Sequence, residues 1–322
     1  MSALQIATRG SKLALWQAHH VQGRLRALGQ EAELLVLKTT GDRVLDRPLA
    51  EVGGKGLFTK EIEDALLDGR AQVAVHSMKD LPAQGPQGLC VAAVPVRADP
   101  RDALLLAPGF ASLLAGAPEV SASALLGKLP SGARVGTSSL RRVCQLRRLR
   151  PDLTVVPLRG NVDTRLRKLH AGELDAAVLA AAGLMRLGLG EHIAACFTVH
   201  EMLPACGQGA LAVQCRADDQ STRQRLAALA DTATALATAA ERAFSLRLGG
   251  SCQTPLGGHA HLRADVLHLE GLVGSVDGAQ LIRGELTGPA SDPEQLGVAL
   301  AEKLLADGAA GLLGGLPSGR QD

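Results

Sequence analysis

Arginine is concentrated in one part of this 322-residue chain: Arg134, Arg141, Arg142, Arg147, Arg148 and Arg150, followed by Arg159, Arg165 and Arg167. Such a cluster has three readings. It can be the solvated face of a helix, which suits Arg147, Arg148 and Arg150 as well as any other reading does. It can bind nucleic acid, but the stretch holds no Tyr, Trp or Phe on which bases would stack. It can bind a compound bearing several carboxylates. Arg141 and Arg142 follow Thr137-Ser138-Ser139, hydroxyl residues able to cap a helix. Exposed N–H groups at a helix start, capping hydroxyls and bidentate guanidinium forks together suit carboxylates. Arg9 with Ser11 repeats the arrangement on a smaller scale.

A second group is His76-Ser77-Met78-Lys79-Asp80-Leu81-Pro82, directly behind the apolar run Val73-Ala74-Val75. In open α/β sheets, ligands lie at the carboxyl ends of strands. An Asp80 carboxylate there can hold a cationic or N–H-bearing species by charge-assisted hydrogen bonds, or can simply cap the turn before Pro82. His76 reads equally as a structural histidine and as a participant. Gly53-Gly54-Lys55-Gly56 lacks the spacing, and the hydroxyl after Lys, of a nucleotide-phosphate loop. Gly207-Gln208-Gly209 lacks the third glycine of a dinucleotide fingerprint and reads as a hinge or tight turn. Cysteines at 90, 144, 196, 206, 215 and 252 form no C-x-x-C pair and no zinc spacing, so no metal is expected. Cys252 stands apart, because a thiol behind Gly249-Gly250-Ser251 is accessible and open to alkylation. The other five read as core filler.

The elements that hold these groups follow an α/β plan. Leu4 to Thr8 is a strand, and Ser11 caps a helix bearing Leu13, Trp16, Val21, Leu25 and Leu28 that ends at Gly29. Glu33 to Lys38 is a strand; Phe58, Ile62, Ala65 and Leu66 lie on a helix ending at Gly69 before the strand Val73 to Val75. The plan recurs with strands at Ala133–Gly136 and Thr154–Leu158 and a helix opened by Asn161 or Asp163. Gly69 before Val75 and Gly172 before Val178 form a weak echo between the halves. Residues 107–131 read as an irregular excursion with one short helix, and the style changes near residue 230. A helix from Thr238 to Leu248, strands at Leu267–Leu269 and Gln280–Glu285, and a helix from Asp292 to Leu305 suggest a small α+β unit. Apolar residues make up 46% of the chain, enough to bury several cores, and the length calls for two or three domains. The net charge of +2 argues against a nucleic-acid or membrane-surface partner. No apolar run reaches transmembrane length and no signal-peptide pattern opens the chain, so a soluble cytoplasmic protein with reduced thiols is expected.

Seven stretches, in order, resemble the porphobilinogen deaminase family along essentially the whole chain: Ala7-Thr8-Arg9-Gly10-Ser11 with Leu13 to Ala18; Val52 to Phe58; Val75 to Pro82; Val135 to Arg142; Leu158 to Val162 with Thr164-Arg165-Leu166; Gly207-Gln208-Gly209; and Gly250-Ser251-Cys252-Gln253 with Pro255. The resemblance implies two type II periplasmic-binding-protein-like α/β domains around a cleft plus a small C-terminal α+β domain. The boundaries expected are 1–97 joined by 208–228, then 98–207, then 229–322. It implies a monomeric enzyme that condenses four porphobilinogen molecules into hydroxymethylbilane on a dipyrromethane cofactor held by a thioether to Cys252. Asp80 matches the catalytic position. Lys55, Ser77, Lys79, Asp80, Thr137, Ser138, Ser139, Arg141, Arg142, Gly160 and Arg165 match cofactor positions; Arg9, Ser11, Arg159 and Arg165 match substrate positions. A polyanionic oligopyrrole gives the arginines a purpose without nucleic acid. Glu51 stands where many relatives carry Lys, and 107–131 is longer than usual. The competing reading, a two-lobed anion-binding protein without catalysis, gives Cys252 and Asp80 no task.

Overall fold

The computed structural model describes residues 3–39, 59–114, 120–251 and 254–314; Glu51, Lys55, the 53–56 loop, Phe58 and Cys252 lie outside the described residues. Strand β1 (Leu4–Arg9) feeds helix α1 (Lys12–Ala27), and the Ser11 hydroxyl caps it by accepting from the Ala14 amide at 3.3 Å. Such a cap contributes about 0.5–2 kcal/mol. Then come β2 (Ala32–Leu37), α2 (Lys60–Leu67), β3 (Val73–Ser77) and β4 (Leu89–Ala93). The second unit holds β5 (Asp102–Leu106), α3 (Ala122–Gly127), β6 (Arg134–Gly136), α4 (Leu140–Leu149), β7 (Thr154–Val156), α5 (Val162–His170), β8 (Ala176–Ala180), α6 (Ala181–Arg186) and β9 (Ala195–Cys196). The chain then returns through β10 (Leu211–Arg216) and α7 (Gln220–Ala227).

The first sheet has the order β2-β1-β3-β10-β4 and the second β7-β6-β8-β5-β9. In each, three strands are parallel, and the fourth, β10 or β5, runs antiparallel between its neighbours. This repeated plan is the type II periplasmic-binding-protein arrangement expected from the sequence. Alternate residues along a strand face opposite sides. Ile6, Val73, Val75 and Val213 therefore pack on Ala18, Val21 and Leu25 of α1, while Ala7 and Ala74 pack on Ile62 and Leu66 of α2. The second sheet buries Leu104, Val135 and Val178 on one side and Ala103, Leu105 and Leu179 on the other.

The third unit comprises α8 (Thr232–Arg247), β11 (Leu256–Arg263), β12 (Val266–Gly274), β13 (Leu281–Pro289), α9 (Pro293–Leu304) and α10 (Ala310–Gly314). Helices α8 and α9 share one core with the antiparallel sheet around the fully buried Phe244. Helix α8 starts at Thr232, earlier than expected, because Asp231 accepts from the Thr234 amide at 2.8 Å and from its hydroxyl at 2.6 Å. Strand β11 was not anticipated, since Gly257 and Gly258 weaken a strand pattern; a Cβ on Gly258 would lie 2.6 Å from Cys206 Sγ and 3.3 Å from the Phe244 ring. Residues 108–114 form a 3-10 segment ahead of α3, in line with an excursion carrying one short α-helix.

Two connections cross between the first and second units side by side. The Ala98 amide donates to Gly209 O at 3.1 Å, and a Cβ on Gly209 (φ 89°) would sit 2.5 Å from Ala98 O, so only glycine fits. Beside this crossing, Trp16 of α1 stacks on His20 at 5.1 Å, and Arg186 at the end of α6 lies 5.7 Å from the Trp16 ring while donating to Gly209 O at 2.7 Å. Lys12 and Asp163 join α1 to α5 at 2.9 Å. Among the described residues no helix is long and apolar enough to cross a membrane.

Candidate active site

Four of the described parallel strands send their carboxyl ends toward the residues singled out in the sequence. Strand β3 ends at Ser77, and Met78–Asp80 form one 3-10 turn. Met78 and Leu81 anchor it in an apolar cluster with Val94, Ala210 and Ala212. Asp80 is exposed, and its carboxylate has no hydrogen-bond partner among the described residues. Lys79 Nζ donates to Gln208 Oε1 at 3.2 Å. Burial pushes the Lys79 ammonium down to about 8, with Asp80 opposing and Arg142 adding to the shift. The Ser77 hydroxyl accepts from Gln17 Nε2 at 2.8 Å. His76 resolves as structural: it is buried, its Nε2 meets Gln214 Oε1 at 3.1 Å, and burial lowers its pKa to about 4.

Strand β6 leads through Thr137-Ser138-Ser139 into α4. Here the capping expectation needs correction. Only Ser139 holds the N-cap position, and its hydroxyl makes no capping bond. Thr137 Oγ1 accepts from the Ser139 amide at 3.3 Å, while Ser138 Oγ exchanges bonds with the Leu158 backbone at 3.0 and 3.1 Å. The Thr137 hydroxyl braces the turn internally, and the Ser138 hydroxyl fastens it to the segment just past β7.

Arg141 and Arg142 do grip a carboxylate, but it belongs to Asp102 at the start of β5. Arg141 Nη1 donates to Asp102 Oδ2 at 2.7 Å and to Leu203 O at 2.7 Å. Arg142 donates to Asp102 Oδ1 through Nε at 2.9 Å and Nη2 at 2.7 Å, and to Val178 O through Nη1 at 3.0 Å. All three residues are buried. Burial alone would raise the Asp102 pKa, but the two guanidinium groups overcome it and hold the carboxyl well below the usual range. Gln208, fully buried, donates through Nε2 to Asp102 Oδ1 at 2.9 Å and to Pro100 O at 2.8 Å. Lys79, Gln208, Asp102, Arg141 and Arg142 thus form one polar network spanning both α/β units. Arg141 Nε remains buried without a hydrogen-bond partner among the described residues.

After β7, Gly160 adopts φ 101°, where a Cβ would lie 2.9 Å from Thr164 Cγ2, and its carbonyl accepts from Arg165 Nε at 2.8 Å. Burial lowers the Arg165 pKa to about 10, Arg142 adding to the shift and Asp80 opposing it. Asp80, Lys79, Arg142 and Arg165 therefore share one electrostatic neighbourhood drawn from both units. Arg159 is exposed beside Gly160, and Arg9 is half-buried at the end of β1. Other members of the cluster are structural. Arg147 donates to Val276 O at 2.9 Å, Arg150 pairs with Asp152 at 2.7 Å, and Arg134 pairs with Asp175 at 3.2 Å.

Two family profiles match this chain: porphobilinogen deaminase, dipyromethane cofactor binding domain, over residues 4–224, and porphobilinogen deaminase, C-terminal domain, over residues 235–306. The chain belongs to the porphobilinogen deaminase family. That makes it a transferase of tetrapyrrole biosynthesis, from a family that binds porphobilinogen and a dipyrromethane cofactor. Solved structures resemble it only loosely. YhfZ from Shigella flexneri is 17% identical over 72% of this chain and 85% of its own, with a TM-score of 0.36. A nutrient binding protein from Burkholderia cenocepacia bound to methionine is 13% identical over 70% and 90%, with a TM-score of 0.41. YehZ from Escherichia coli is 10% identical over 72% and 88%, with a TM-score of 0.42. Similarities this distant decide nothing about ligand or activity.

The described residues fit a cofactor bearing several carboxylates. Arg141 Nε is an orphaned buried donor, Ser139 has a hydroxyl not used in capping, and Arg165 is bonded only through Nε among the described residues. Sequence reasoning missed Asp102 and Gln208. Asp102 opens the apolar run Ala103-Leu104-Leu105, where it looks like an ordinary strand start. Its two arginines lie about 40 residues away, and only the fold joins them.

Proposed function

We propose that this protein is a hydroxymethylbilane synthase that condenses four porphobilinogen molecules head to tail and releases the linear tetrapyrrole by hydrolysis. The reading rests on one observation above others. An exposed Asp80 carboxylate without a protein partner among the described residues stands beside Lys79 and within the electrostatic reach of Arg165 from the opposite unit. Cations that flank a single uncommitted carboxylate suit a substrate that brings its own carboxylates and an N–H-bearing ring.

Lys79, Ser139, Arg141 and Arg165 would hold the carboxylates of the dipyrromethane, with Lys55 from outside the described residues. Cys252 would carry the group through a thioether. When bound, the dipyrromethane supplies the pyrrole terminus that is extended. The protein's own contribution is positional and electrostatic. Asp80 accepts from the substrate pyrrole N–H and stabilises the positive charge that develops on that nitrogen as ammonia departs. The same carboxyl can hand a proton to the leaving amine and recover one afterwards. Arg9, Ser11, Arg159 and Arg165 orient the acetate and propionate groups of the incoming porphobilinogen through charge-assisted bonds. We propose domain limits of 1–97 with 208–228, 98–207, and 229–322. A cytoplasmic monomer with no nucleic-acid or membrane partner completes the reading.

The test is intact mass under denaturing conditions, together with turnover. Wild type is expected to carry extra mass equal to two linked pyrrole units, absent from Cys252→Ser. Asp80→Asn is expected to keep the fold and the extra mass but lose most turnover. A wild type that stays unmodified after incubation with porphobilinogen would move the reading to a non-catalytic anion-binding protein.

A further inference from the structure

Helix α8 carries two adjacent charged residues with different duties. Glu241 is fully buried and accepts from Arg97 at 2.6 and 3.2 Å, from the Gly207 amide at 2.6 Å and from the Ala260 amide at 2.7 Å. It ties α8 to both crossings between the α/β units and to β11. Arg242, half-buried, reaches the backbone just behind Asp80. Its Nη2 donates to Pro82 O at 3.0 Å and Ala83 O at 2.8 Å, and its Nη1 lies 3.4 Å from Leu81 O and 3.7 Å from Met78 Sδ. One planar guanidinium thus spans three successive carbonyls. A lysine ammonium, a single point on a flexible stem, would not reproduce that fork.

Asp80 needs such support. It ends a three-residue 3-10 turn closed by the Leu81 amide on Met78 O at 3.2 Å, and no side chain among the described residues holds its carboxylate. The aim of the carboxylate is therefore set by its backbone, and the segment that follows is gripped from the third unit. We infer that Arg242 is a positioning residue for Asp80: by clamping the carbonyls of Leu81, Pro82 and Ala83, the third unit fixes where the Asp80 carboxylate stands. The inference rests on the reading of Asp80 given under Proposed function.

A displacement of about 1 Å at a reacting group costs on the order of 100-fold in rate. Arg242→Met and Arg242→Lys are compared with wild type for kcat, KM, thermal midpoint and intact mass, and each is combined with Asp80→Asn. Arg242→Met is expected to fold, carry the primer mass and keep KM within about twofold, while kcat falls roughly 10- to 100-fold. Arg242→Lys is expected to recover only part of that loss. In the Asp80→Asn background the Arg242 substitutions are expected to cost little more, because a residue acting only through Asp80 has nothing left to position. A folded, primer-bearing Arg242→Met with wild-type kcat overturns the inference, as does a raised KM at constant kcat, or a loss that adds fully to that of Asp80→Asn. Should Arg242→Met fail to fold, Arg242→Lys is read by the same criteria. Near-normal turnover of Asp80→Asn alone overturns the parent reading, and an inactive Asp80→Asn beside an unimpaired Arg242→Met overturns the clamp alone.

Discussion

Replacing Asp102 with Asn should destabilise the protein more than most substitutions outside an apolar core. The carboxylate is fully buried and takes Arg141 Nη1, Arg142 Nε, Arg142 Nη2 and Gln208 Nε2 at 2.7 to 2.9 Å. Asn preserves the shape but removes the charge, leaving two guanidinium groups buried with no anion between them. Removing one partner of a buried pair costs about 3–5 kcal/mol. For a domain of this size that corresponds to a fall of roughly 6–20 °C in midpoint. The exposed Asp99–Arg101 pair at 2.7 Å is the internal control, and Asp99→Asn should cost about 0–1 kcal/mol. The pH dependence has a definite sign. A carboxyl whose folded pKa lies below its unfolded value contributes stability above the unfolded value, and that contribution is lost as pH falls toward the folded one. The gap between wild type and Asp102→Asn should therefore hold steady at neutral pH and narrow only below about pH 4. Calorimetry and urea titration monitored by circular dichroism measure both quantities. A loss under about 1 kcal/mol at pH 7 would refute the view that Asp102 neutralises the two arginines.

Other expectations follow from single residues. Lys79 loses its charge as pH rises through about 8, so the hold on the dipyrromethane carboxylates should loosen and kcat in wild type should fall above that pH. Lys79→Arg, always charged, should flatten the fall, and parallel profiles would exclude Lys79 from holding the cofactor. Because the unfolded chain keeps this proton to about pH 10, the Lys79 contribution to stability should improve across the same interval. A Cβ on Gly297 of α9 would run into Ala240 O and lie 2.8 Å from Phe244 N, so Gly297→Ala should cost about 1–3 kcal/mol in urea titration. A Cβ on Gly311 would meet no side chain or neighbouring element within 4 Å among the described residues, and Gly311→Ala should stay within about 1 kcal/mol of wild type. Equal effects from the two glycines would contradict the close α8–α9 crossing.

Elements whose signals are local were legible in the sequence. Ser11 caps α1 as its position suggested, and Gly29, Gly69 and Gly172 close helices at φ 73°, 76° and 73°. The repeated α/β plan followed from strands alternating with helices. What the sequence could not display is pairing at a distance. Strand β10 inserts antiparallel between β3 and β4, and Val213 meets Val75 and Ala93 there; nothing in Leu211–Arg216 states its partners or direction. The arginine cluster was visible, but its division of labour was not. Arg141 and Arg142 look alike whether the carboxylate they hold belongs to a ligand or to Asp102. Arg97 and Glu241, joined at 2.6 Å, lie 144 positions apart, and each alone reads as an ordinary surface charge.

Trp16 is the chain's single tryptophan, and there is no tyrosine. Its indole lies against His20 of its own helix and beneath Arg186 of the opposite unit, next to the Gly209 crossing. Near-ultraviolet emission from this protein therefore originates at the joint between the two units. Any rotation about that joint changes the cation over the ring and the water around it, so the native protein carries its own optical gauge of opening and closing. Emission recorded through successive additions of porphobilinogen would follow the joint in real time without an attached dye.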